Sequence, residues 1–346
     1  MSDAIRVGLI GYGYASKTFH APLISGTPGM TLAAVASSDE NKVLSDWPAM
    51  KVVPQPEPLF NDPNIDLIVI PTPNDTHYPL AKAALEAGKH VVVDKPFTVT
   101  LAQARELEAI AKSTGRLLSV FHNRRWDSDF LTVKSLINEG VLGEVGYFES
   151  HFDRYRPQVR HRWREQGGPG SGIWYDLGPH LLDQVVNLFG LPVSMHVDLA
   201  QLRPGSQAID YFHAVLAYPQ RRVVLHGTLL AVAETARFII HGSRASYVKY
   251  GLDPQEERLK SGARLPQEDW GYDMRDGLLT RADGEAIAEE SWLTQPGNYP
   301  AYYAAIRDAL NGAGDNPVPA SQAIQIMELI ELGLESARHR ATLCVN

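Results

Sequence analysis

Short apolar runs recur at regular intervals through the first third of the chain: Ile5–Ile10, Thr31–Ser37, Leu67–Ile70, His90–Val93 and Leu117–Phe121. Each is rich in Val, Ile and Leu and too short for a helix, the pattern of a strand buried on both faces of a parallel sheet. Amphipathic stretches stand between them, such as Tyr78–Ala87 before Gly88 and Leu101–Thr114 before Gly115. Glycine in that place supplies a left-handed helix cap. The alternation predicts a doubly wound α/β domain over residues 1–122.

From about residue 145 the period changes. Val145–Tyr155, Val193–Leu202, Ile209–Tyr218, Arg222–Leu230, Thr235–Ile240 and Tyr247–Tyr250 follow one another with short links. Ile209-Asp210-Tyr211-Phe212-His213-Ala214-Val215 alternates polar with apolar, as in a sheet with one face covered. Two helices, Pro179–Phe189 and Ala320–Arg338, remain to cover it. Residues 123–346 therefore predict a second, α+β domain with a largely antiparallel sheet, one face covered and the other exposed or used for assembly. Residues 251–298 mix Pro, Gly and charge and predict long loops.

Composition changes this picture little. The 346 residues are enough for about two domains. Hydrophobic residues at 44% and charged ones at 21% suit a globular protein. The formal charge of −8 disfavours nucleic acid and anionic membrane as partners. The single cysteine, Cys344, excludes an intramolecular disulfide and suits a reducing compartment. Met1-Ser2-Asp3 lead directly into Ile5–Ile10, without the pattern of a signal peptide. No apolar run approaches the ~20 residues that span a bilayer. A soluble, cytoplasmic protein is expected.

Three segments carry chemistry. Gly11-Tyr12-Gly13-Tyr14-Ala15-Ser16 follows a strand and precedes a helix, so its glycines suit a tight turn over a dinucleotide pyrophosphate. Ser16 stands where the third glycine of the usual pattern falls. Asp94-Lys95-Pro96 ends a strand, at the sheet edge where ligands bind, and a lysine there can stabilise a developing alkoxide. Within Gly170–Asp183, Pro179 suits the first turn of a helix and Asp176 its cap. His180 and Asp183 share a face, and an imidazole beside a carboxylate can act as general base. No second histidine stands at ligand spacing, so Asp176, His180 and Asp183 are not expected to hold a metal.

Together these segments resemble the glucose–fructose oxidoreductase/inositol dehydrogenase (Gfo/Idh/MocA) family. Its Glu-Lys-Pro-like motif appears as Asp94-Lys95-Pro96, and its Asp-x-Gly-x-His-x-x-Asp motif as Asp176 to Asp183. Phe19-His20-Ala21-Pro22-Leu23, His122–Asp127, Arg154-Tyr155-Arg156-Pro157 and Asp210–His213 look like the branch containing NADP-dependent scyllo-inositol dehydrogenase. The resemblance implies that Lys95 polarises the substrate oxygen and His180 exchanges its proton, with Asp176 binding substrate or tuning His180. It implies a cis Lys95–Pro96 bond. It also implies a cofactor loop at Thr72-Pro73-Asn74 with His77, and substrate-facing positions at Asn123, Arg124, Asp153 and Arg154. Asn123 and Trp163, next to Arg164, are expected to touch the cofactor. A homodimer or homotetramer through the C-terminal sheet follows from family habit.

The expected activity is hydride transfer between NAD(P) and a secondary alcohol or ketone of a sugar or cyclic polyol. The alternatives are a catalytically silent dinucleotide-binding redox sensor and a metal-dependent isomerase. The second strand runs into Ser37-Ser38 with no acid at its tip, so NADP is expected over NAD.

Overall fold

The computed structural model describes residues 4–284 and 286–345, the side chains of Trp163 and Asp283 excepted. Two compact units form. The first comprises Met1–Trp126, Gln255–Trp270 and Asn298–Met327, and the second Asp127–Pro254, Gly271–Gly297 and Glu328–Asn346. The first unit thus takes in two segments from beyond residue 122.

The first unit is built on six strands: β1 (Ile5–Ile10), β2 (Met30–Ala36), β3 (Lys51–Val53), β4 (Leu67–Ile70), β5 (His90–Asp94) and β6 (Leu118–Phe121). All pair in parallel in the order β3-β2-β1-β4-β5-β6. The apolar runs are buried as predicted: Val7, Leu9, Ile68, Val69 and Val92 have no solvent exposure. β3 was not anticipated. It is three residues long and only half-buried, so it lacks the apolar signal of a central strand. The helix Leu101–Thr114 has the predicted bounds. Thr100 and Gln103 close a capping box at its start, and Gly115 at φ 64° ends it. The helix of Tyr78–Ala87 begins a turn earlier, at Asn74, and ends at Glu86.

The second unit carries nine strands: β7 (Val145–His151), β8 (Ser194–Ala200), β9 (Tyr211–Ala217), β10 (Arg222–Thr228), β11 (Ala236–Gly242), β12 (Ala245–Tyr250), β13 (Gly277–Asp283), β14 (Ala286–Trp292) and β15 (Leu343–Cys344). Their order is β14-β13-β12-β11-β7-β10-β9-β8-β15, antiparallel except for the β7–β10 pair. One face is covered. Trp174 lies 5.3 Å from Phe212, and Phe189 5.4 Å from Phe148, ring centre to ring centre. The opposite face holds Tyr147, Glu149, His151, Tyr211, His213 and His226, half-buried.

Residues 251–298 correct the sequence expectation. They contain the helix Gln255–Lys260 and the hairpin β13–β14. The helix is only six residues long, and most of β14 is exposed, so neither carries the buried apolar run by which the other elements are read.

Candidate active site

In the first unit the candidate residues gather along the carboxyl edge of the parallel sheet. Gly11 follows β1 at φ +81°, and its N–H donates to Ala36 O at 2.7 Å. A Cβ at Gly13 would meet nothing within 4 Å, so the space over the turn is open to a close-lying pyrophosphate. Ser16, in place of the third glycine, donates its hydroxyl to Gly11 O at 2.9 Å and ties the turn shut behind Ala15. Tyr12 is packed away, donating to Asp46 at 3.0 Å and accepting from Trp47 at 2.8 Å.

Exposed Tyr14 donates to Glu256 at 2.6 Å, and Glu256 also pairs with buried Arg124 at 2.9 Å. Burial works against ionisation of Glu256, but the Arg124 charge and the Tyr14 hydrogen bond outweigh it and hold its pKa down to about 2. Asn123, next to Arg124, is buried in the turn after β6. Arg124, predicted as a substrate contact, thus has its guanidinium on a carboxylate tied to the glycine turn.

Ser37 and Ser38 follow β2. Asp39, the acid nearest the strand end, points its carboxylate back at Lys42 N (3.0 Å) and caps the next helix. Thr72 follows β4, and Pro73 is the N-cap of the helix at Asn74. His77 lies beneath this loop, fully buried, its ring nitrogens 2.9 Å from Pro96 O and 2.9 Å from Thr72 O. Burial pushes its pKa down, against the opposing pull of the Asp94 carboxylate and of these carbonyls, and the ring bridges the loops after β4 and β5.

The Lys95–Pro96 bond is cis. Lys95 N donates to Asp94 Oδ1 at 2.7 Å. His20 faces Asp94 at 3.7 Å and bonds Tyr303 Oη at 2.6 Å through Nδ1. Burial alone would raise the Asp94 pKa, but His20 and Lys95 bring it below the ordinary carboxylate value.

In the second unit Asp176 corrects the capping expectation. It ends the short helix Gly172–Asp176, while Leu177 is the N-cap of Gly178–Phe189 and makes no side-chain cap. The chain turns between two helices there, so Asp176 is half-exposed, 3.8 Å from Arg164 Nε. Pro179 sits in the first turn as predicted. His180 and Asp183 are buried on that helix. Arg154 and Asp176 line one recess. Asp153 does not: its carboxylate accepts from Thr228 N at 3.1 Å and Thr235 Oγ1 at 2.8 Å, and meets His226 at 2.8 Å and His151 at 3.1 Å.

Among the described residues, the donors that lie close enough to share a metal are His151, Asp153 and His226, not Asp176, His180 and Asp183. Trp163 opens the turn Trp163–Glu165, and its side chain lies outside the described residues. Sequence reasoning missed Glu256, which shows no motif. It also left His20 without a role, although Phe19–Leu23 had marked the segment.

A parallel sheet in the order 3-2-1-4-5-6, with an open glycine turn after its first strand and a lysine at the end of its fifth, defines a nicotinamide-dependent oxidoreductase. Residues 5–122 match the profile "Oxidoreductase family, NAD-binding Rossmann fold", and residues 134–345 match "Oxidoreductase family, C-terminal alpha/beta domain". The chain belongs to the Gfo/Idh/MocA family and is an NAD(P)-dependent oxidoreductase acting on a small molecule. It is 81% identical over its full length to the uncharacterized oxidoreductase YdgJ of Escherichia coli K12, also covered in full. It is 37% identical to the scyllo-inositol 2-dehydrogenase (NADP(+)) IolW of Bacillus subtilis, over 99% of this chain and 96% of that one. A solved putative oxidoreductase from Yersinia pestis superposes with a TM-score of 0.97 at 68% identity, covering 100% of this chain and 98% of that one. Among the described residues, no helix is long and apolar enough to cross a membrane.

Proposed function

We propose that this oxidoreductase transfers a hydride between NADP, preferred over NAD, and a secondary alcohol or ketone of a sugar or cyclic polyol such as an inositol. The observation that carries this reading is the row of loops along the carboxyl edge of the parallel sheet: the open turn at Gly13, the Thr72–Asn74 loop and Lys95. The inositol dehydrogenase among the relatives supports the substrate class. Gly11 to Ala15, Ser37, Ser38, Thr72 to Asn74 and Asn123 would hold the dinucleotide, and a bound nicotinamide supplies the two-electron donor or acceptor.

The remaining work falls to side chains. In the oxidation direction His180 takes the hydroxyl proton, and Lys95 stabilises the oxygen as negative charge develops on it. Asp176 orients the hydroxyl groups. Residues 1–122 serve the dinucleotide, and 123–346, apart from the cofactor contact at Asn123, serve substrate and assembly. The half-buried face of the nine-stranded sheet joins copies into a dimer or tetramer, which a monomeric scattering mass would exclude. The free, exposed Cys344 suits the cytoplasm.

The test is turnover of keto-inositols, keto-sugars and their alcohols with both cofactors. Turnover is expected with NADPH, and none with any of these compounds would refute the reading. NADP should bind more tightly than NAD by intrinsic tryptophan fluorescence. Ser37→Asp should weaken NADP by about tenfold or more, because a carboxylate at the strand end repels the 2′-phosphate. Tighter binding of NAD by the unaltered protein would sink the preference.

A further inference from the structure

The stretch Arg154-Tyr155-Arg156-Pro157-Gln158-Val159-Arg160-His161-Arg162-Trp163-Arg164 places five arginines in a chain whose formal charge is −8. Four of them line the recess that also holds Asp176, and Arg203 joins them there. The lining carries five guanidinium groups and only two carboxylates, Glu165 and Asp176.

The partners divide unevenly. Glu165 is shared by Arg162 at 2.6 Å and Arg203 at 3.1 Å, and Arg203 also pairs with Asp210 at 2.9 Å. Asp176 stands at 3.8 Å from Arg164. Arg156 makes no ion pair with a carboxylate among the described residues. Burial, then repulsion from Arg162 and Arg160, outweighs Asp176 and Glu165 and pushes its pKa below the ordinary arginine value. A concave site with surplus positive charge lowers its free energy by taking in an oxyanion, and arginine matches phosphate and carboxylate in a two-pronged geometry.

We infer that this recess is an oxyanion subsite, centred on Arg156 and Arg154, that binds a phosphate or carboxylate group carried by the substrate. The inference rests on the reading of Asp176 as part of the substrate site, since Asp176 lines the same recess. The substrate class narrows accordingly, from neutral polyols to sugar or polyol phosphates and acid sugars. The cofactor's own phosphates offer the same chemistry, so the test separates the two sources.

Two measurements on the full-length protein decide it. The first is calorimetric titration with inorganic phosphate, without cofactor, where binding is expected and Arg156→Gln weakens it about tenfold. The second compares kcat/KM for compounds that differ only in the anionic group, such as an inositol and its monophosphate, or a hexose and its uronate. The unaltered protein should favour the anionic member about tenfold or more. Arg156→Gln should erase that preference, Arg156→Lys should restore part of it, and the Kd of NADPH should hold in both.

A preference of the unaltered protein for the neutral member overturns the inference, whether or not the variants fold. So does a rise in the Kd of NADPH with the substrate preference intact, which would assign the recess to the cofactor. Phosphate binding that Arg156→Gln abolishes, with no turnover of any compound, would refute the sugar–polyol reading and uphold the oxyanion site.

Discussion

Replacing Lys95 with methionine should lower kcat/KM about 10²–10³-fold, the usual loss when one group stabilising a developing oxyanion is removed. Methionine keeps most of the side-chain length and removes the charge, so the change isolates electrostatics from packing. The backbone at this position is anchored independently, since Lys95 N donates to Asp94 Oδ1 and Pro96 O faces His77. The Kd of NADPH by tryptophan fluorescence should therefore stay within a few-fold. His180→Ala should cost about 10²–10⁴-fold, because it removes the proton acceptor. Its loss should appear mainly in kcat. Full turnover by either variant on a true substrate would strip that residue of its assigned role.

Arg203→Met should destabilise the second unit by about 3–5 kcal/mol, because it removes the countercharge from buried Asp210 and one of the two cations that hold buried Glu165. Arg203 is 4% exposed, and its guanidinium meets Asp210 and Glu165 while donating to Arg156 O at 3.0 Å and Gln158 O at 3.1 Å. Burial by itself would raise the Asp210 pKa, and hydrogen bonds from Leu202 N and Arg203 keep it below the ordinary value. Without Arg203 the two acids repel each other less screened, and two backbone carbonyls lose their donor. Calorimetry should show a fall in Tm of roughly 6 °C or more. Arg203→Lys should recover part of it, since an ammonium keeps the charge but not the forked geometry. A Tm within 1–2 °C of the unaltered protein would show that the segment 154–165 is held by other means.

Much of the architecture was legible wherever burial leaves a local trace. β4 shows the exact bounds of its apolar run because both its faces are covered. The helix Leu101–Thr114 showed its end in Gly115, which caps it in the left-handed conformation. Segments whose stability comes from neighbours left no such trace. The strand β14 is almost wholly exposed, and the hairpin forms because β12 offers β13 an edge to pair with. Asp176 looked like a helix cap because local sequence cannot show that a second short helix ends on it.

The order of the apolar runs, the glycine turn, and the lysine and histidine motifs are properties of the linear chain, and they determined the fold class and the kind of chemistry. Only the tertiary structure decided which side chains are already committed. Arg124 is held by Glu256, 132 residues away, and Asp153 by His226, 73 residues away. Arg203 approaches Glu165 across 38 residues, while Arg156 makes no ion pair with a carboxylate among the described residues. Electrostatic pairing acts over a few ångströms of space regardless of separation along the chain. A residue's type is thus visible in the sequence, but whether its charge is spent or available appears only on folding.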